Sequence, residues 1–149
     1  MNITDKTILE KFTKELSILH YGLTFGAFAV TILIYFFAIE GRQFNFADTG
    51  DIFLYLCPLI AIGGVFGGIY MFNNKIKTID RAMNLEEKLV AYRAATVQKF
   101  SLTEGPALIC VVALMQTENL LYLIIALVLI AHLFSQKISK EKIVEELGL

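Results

Sequence analysis

Four long apolar runs constrain this chain more than any other feature of its sequence: Ser17–Ile39, Ile52–Phe72, Phe100–Gln116 and Asn119–Phe134. A helix needs about 17–25 apolar residues to cross roughly 30 Å of hydrocarbon, and strands of that length are not built. The first two runs reach the length and the last two come close to it. Only Thr117 and Glu118 separate the last two, so a single buried hairpin that does not fully cross is the alternative. Borrowed flanking turns and snorkelling side chains favour two separate crossings. Composition agrees with a lipid solvent, since 56% of the residues are hydrophobic and 18% are charged, against roughly 25% charged in a soluble domain. The expectation is an all-α integral membrane protein with four transmembrane helices in a single domain, residues 1–149.

Positive charge is retained on the cytoplasmic side of a membrane, which orients the spans. Twelve of the 13 basic residues fall before span one, between spans two and three, or after span four, and only Arg42 lies elsewhere. The remaining connections carry Glu40, Asp48, Asp51 and Glu118. Both termini and the central connection, 73–99, are therefore expected in the cytoplasm. That connection reads as a helical hairpin. Ile76, Ile79 and Met83 continue the apolar spacing of span two, while Asn84 with Glu87 forms a capping box for a second helix bearing Leu85, Leu89 and Tyr92. Thr7 and Glu10 have the same capping spacing near the start, and Ser139 opens a short last helix, with Ile143 and Leu147, that stops at Gly148.

Several function classes are disfavoured. A net charge of -1 offers no basic field for nucleic acid. Cys57 and Cys110 lie inside apolar runs and suggest small hydrophobes, not a disulfide framework. The mixed-charge start followed by a long apolar run lacks a signal cleavage site, so the first span is expected to be retained, and no lipidation motif is present. No nucleophile and base set, metal-ligand cluster or nucleotide motif points to an enzyme, and no cofactor is expected.

Two features carry the candidate chemistry. In span two, IAIGGVFGGIYMF holds Gly63, Gly67, Gly64 and Gly68 as two overlapping small-xxx-small pairs, expected to pack against another helix of the chain or to form an oligomer seam. In span three, SLTEGPALICVVAL holds Glu104, the only acidic residue inside a span. A carboxyl group in hydrocarbon is costly, so either a functional or a shallow interfacial role follows. Pro106 frees the carbonyl of Leu102 one turn from that carboxyl group and marks a kink that opens a polar niche. His20, His132 and Tyr70 fall at a similar height on their spans, and one layer holding all four is an ion- or proton-binding candidate. Two histidines without short-range ligand spacing do not assign a metal.

These two segments, within Pro58 to Ala113, resemble the helical hairpin of the rotary ATP synthase c subunit and the V-type proteolipids. The resemblance implies that Glu104 takes the place of the H⁺- or Na⁺-carrying carboxylate and the four glycines that of the inter-helix packing residues, within a homo-oligomeric ring. The family joins its helices by a short loop with an Arg-Gln-Pro-like turn, where this chain has NNKIKTIDRAMNLEEKLVAYRAATVQKF. The leading expectation is a non-enzymatic inner-membrane protein that serves as a scaffold or assembly component, partnered by the bilayer and by a homo-oligomer or a membrane complex. The alternative is a small ion-handling proteolipid that uses Glu104.

Overall fold

The computed structural model describes residues 3–38, 46, 50–80 and 82–149. Glu40, Arg42, Asp48 and Arg81 lie outside the described residues. The described residues form five α-helices: α1 Ile3–Leu33, continued by a π-helical segment Ile34–Ala38, then α2 Phe53–Lys77, α3 Leu85–Thr117, α4 Leu120–Ser135 and α5 Lys140–Leu147. The described residues hold no strand. Helices α1, α2 and α3 are each long and apolar enough to cross a membrane. Helix α4 has 16 residues, a rise of roughly 24 Å, and a bend of 81° separates it from α5. The described residues are thus all-helical, with three helices long and apolar enough to cross a membrane, or four if α4 and α5 count as one bent span.

Local sequence explains the boundaries. Asn84 caps α3 in a reciprocal box, accepting from the Glu87 amide at 2.9 Å while Glu87 accepts from the Asn84 amide at 3.1 Å. Helix α3 ends on Glu118 in the left-handed region, φ 60°, and Asn119 at once caps α4 by accepting from the Leu121 amide at 3.0 Å. That two-residue corner forces α3 and α4 into an antiparallel pair. Ser139 caps α5 and Gly148 ends it in the left-handed region. Thr7 does not open a helix, because α1 is already under way at Ile3 and encloses it. Helix α2 stops at Lys77, and Ile79 reaches the core from the turn that follows.

Helix α3 is central and packs against α2, α4 and α1. The bundle has a basic end, where α1 begins and α2 ends, and a far end at the α3–α4 corner. Leu9, Phe12, Leu16, Phe72, Leu89, Tyr92, Ala95, Ile143 and Leu147 form a buried core at the basic end, so α5 folds back to close it. Tyr92 meets Phe12 and Phe72 edge-on, with centroids at 6.3 and 5.7 Å. Two ion pairs, Arg93 with Glu15 at 2.6 Å and Lys140 with Glu10 at 2.7 Å, tie the rim. Each is exposed, so solvent screening leaves it little net stability.

The Tyr92 hydroxyl donates to Glu146 at 2.6 Å. Burial first, and that bond second, push Tyr92 well above its ordinary value, which is about 10. The folded protein therefore keeps a proton that the unfolded chain gives up, and stability present below pH about 10 falls as the pH rises further. Replacing Tyr92 by Phe should remove most of that alkaline loss. Unfolding midpoints in detergent from pH about 8 to about 11 with equal slopes for both proteins would contradict this.

Candidate functional site

The geometry of the α2–α3 contact begins with Pro106. Its ring cannot donate to the Leu102 carbonyl, and α2 brings Gly64 against that freed oxygen. A Cβ built on Gly64 would run into the Leu102 carbonyl oxygen and stand 2.8 Å from Pro106 Cγ, and one on Gly68 would stand 3.0 Å from the Lys99 carbonyl oxygen. Contact this close between backbones is what glycine permits in a helix pair, with weak Cα–H to carbonyl attraction as its reward. Gly63 and Gly67 meet nothing within 4 Å. The four glycines therefore serve two faces. The Leu102 carbonyl is covered by α2, so the niche expected beside Pro106 is closed, and α3 runs through the proline as one helix.

The polar residues expected to share a layer are held apart. His20 is buried at 2% exposure, its Nε2–H donates to the Leu133 carbonyl at 2.8 Å, and its ring lies against Phe100 with centroids at 4.6 Å. His132 Nε2 stands 2.9 Å from Nε2 of Gln136, the residue that follows its own helix. Tyr70 is 68% exposed on the outer surface of α2. Glu104 is half-buried beside exposed Ser101, and no described residue hydrogen-bonds or pairs with it. Helical phase produces the separation, because residues at one height point in directions fixed by steps of about 100°. Thr103, one step earlier, faces the core, and Glu104 falls at its edge.

Two buried threonines of α1 are matched within their own helix. Thr24 and Thr31 donate to the carbonyls of His20 and Ala27 at 2.9 and 2.8 Å. At the far end the Tyr122 hydroxyl, fully buried, donates to Asp51 at 2.6 Å. An apolar groove of about 310 Å3 between α1 and α4 has Thr24 as its one polar lining residue. The described residues contain no group of three or more His, Cys, Asp or Glu able to hold a metal ion.

One pair was not anticipated from sequence. Cys57 and Cys110, both free thiols fully buried in the far-end core, are brought into one cluster by α2 and α3. Their separation in sequence gave no sign of it, although the glycine contact two turns away fixes the register that brings them together. Comparison with known proteins finds no family model, curated protein or solved structure that matches this chain.

Proposed function

We propose that the protein is a non-enzymatic, multi-pass component of the inner (cell) membrane, acting as a scaffold or assembly subunit of a membrane complex. In this reading four helices cross the bilayer, with the termini and the 73–99 hairpin in the cytoplasm. The observation that carries it is the division of the glycines on α2. Gly64 and Gly68 are already occupied by α3, while Gly63 and Gly67 stand open beside exposed Ile62, Phe66 and Tyr70. Small residues open to lipid are where a further helix approaches closely, since packing replaces the missing hydrophobic drive there. The partner is a helix of a second copy or of another membrane subunit.

Gly63→Leu and Gly67→Leu test this in native membranes. Each should reduce cross-linked assemblies several-fold while the purified monomer keeps its unfolding midpoint. Unchanged assembly in both variants sinks the scaffold reading. The topology has its own test: Asn84→Cys and Leu149→Cys should react with an impermeant maleimide only from the cytoplasmic side, and labelling of Asn84→Cys from outside overturns the orientation.

A second reading, H⁺ or Na⁺ handling by a proteolipid, is favoured by Glu104 alone. Its carboxyl group lacks a partner among the described residues and lies next to Gly105, whose Cβ position meets nothing within 4 Å, so a neighbouring copy would have to complete the site. Selective, pH-dependent reaction of Glu104 with a hydrophobic carbodiimide supports that reading. In the scaffold reading labelling is absent, and Glu104→Gln changes monomer stability by no more than about 1 kcal/mol.

A further inference from the structure

Where α4 leaves the bundle, Gln136, Lys137 and Ile138 carry the chain round the bend into α5, and a recess remains between this bend and α3. Phe72, Tyr92 and Phe100 form its apolar lining, and its volume is about 20 Å3, room for one water-sized atom. Three lysines from three different elements line it as well: Lys99 of α3, Lys137 of the bend and Lys142 of α5. The Lys99 ammonium lies over the Phe72 ring, 5.1 Å from its centroid. Burial first, and then the positive charge of Lys142, hold Lys99 below its ordinary range, and Glu146 relieves this only in part. Glu146 already accepts from Tyr92 and stands 4.0 Å from Lys142. The like charges around the recess thus exceed the acid available to balance them.

Gln136 adds a second, independent observation. Its Oε1 is buried with no hydrogen-bond partner, while its Nε2 faces His132 Nε2. Turning the carboxamide by about 180° preserves its shape, lets Oε1 accept from His132 Nε2–H, and puts an N–H donor where the unpartnered oxygen stood. The recess wall then carries an amide donor beside the three lysine side chains, a set that an oxygen acceptor satisfies and a negatively charged one satisfies best. The Thr96 hydroxyl supplies no competing donor, since it is given to the Tyr92 carbonyl at 2.9 Å.

We propose that this recess receives one oxygen of a phosphate group, and that the phosphate belongs to the headgroup of an anionic phospholipid. The proposal rests on the reading of the basic end as lying at a membrane surface. Lys99 directly precedes the apolar run that opens at Phe100, and Lys137 follows the run that closes at Phe134, which sets both at headgroup level. Size selects the source. A space for one oxygen suits a phosphate tethered in the headgroup layer, whose other oxygens stay hydrated outside, better than a free ion that needs a complete shell.

The test measures the unfolding midpoint of the purified full chain in neutral detergent, titrated with phosphatidylglycerol, with phosphatidylcholine, or with inorganic phosphate at equal concentration. Phosphatidylglycerol alone should raise the midpoint in a saturable way. Lys99→Gln and Lys142→Gln should each weaken its apparent affinity about five-fold, whereas Lys75→Gln, an exposed lysine at the same end but outside the recess, should not. Lys142 lies on the short outer helix, so its variant keeps the test open if Lys99→Gln fails to fold. Equal stabilisation by phosphatidylcholine, or equal weakening by Lys75→Gln, overturns the site. Saturation by inorganic phosphate alone overturns the lipid as its source. Micelles have no inside or outside, so these outcomes are independent of the maleimide test of topology.

Discussion

Alanine at Gly64 is expected to lower the stability of the protein by about 3 kcal/mol, the upper end of the range for forcing a methyl group into a packed interior. The added carbon meets the Leu102 carbonyl oxygen and the Pro106 ring. Neither can rotate away as a flexible side chain would, so α2 and α3 must separate. Gly68→Ala should cost less, about 1 kcal/mol, because its nearest contact, the Lys99 carbonyl oxygen at 3.0 Å, asks for a shift of only a few tenths of an ångström. Gly63→Ala and Gly67→Ala should be neutral or gain up to about 1 kcal/mol from helix propensity. Unfolding midpoints in detergent for the four single variants check this ordering. Equal losses at Gly63 and Gly64 would mean that α2 presents a different face to α3.

The second large effect is expected at His20. His20→Ala should cost about 3 kcal/mol, through the cavity left beside Phe100 and the lost bond to α4. His20→Phe refills the space and gives up only the hydrogen bond, so about 1 kcal/mol should be lost. The Leu133 carbonyl is not orphaned in either variant, because the Gln136 amide donates to it at 3.0 Å. Denaturant midpoints for the two variants separate packing from polarity. A loss in His20→Phe as large as in His20→Ala would show that the bond, and not the ring, holds α1 against α4.

What could be read from sequence divides along one physical line. Helix existence and helix ends are local properties, so the apolar runs, the Asn84–Glu87 box, the Ser139 cap and the Gly148 stop were all legible. The rotation of one helix against another is set by contacts far apart in the chain. Consecutive glycines such as Gly63 and Gly64 point about 100° apart, so only one of the two pairs can face α3, and nothing local says which. The same holds for Glu104, His20, His132 and Tyr70, whose expected height comes from counting residues along each run and whose directions do not. Tyr92 and Glu146, or Cys57 and Cys110, meet only because several helix phases agree at once. The turn that holds Ile79 shows a smaller limit. Its apolar spacing marked a side chain that packs partly buried against the core, but the packing there comes from a turn and not from continued helix.

Helix α3 runs for 33 residues without a break, roughly 50 Å at 1.5 Å per residue, and its one weak point, Pro106, is braced from the side by Gly64. A rod of that length outreaches the hydrocarbon and behaves as a beam gripped near its middle. Tilting its basic end by a few degrees would displace the Glu118 corner in the opposite sense by about an ångström. The corner has only two residues with which to absorb that motion, so α4 is carried along with it. Events at one face of the bundle thereby acquire a mechanical readout at the other, with the glycine contact as fulcrum.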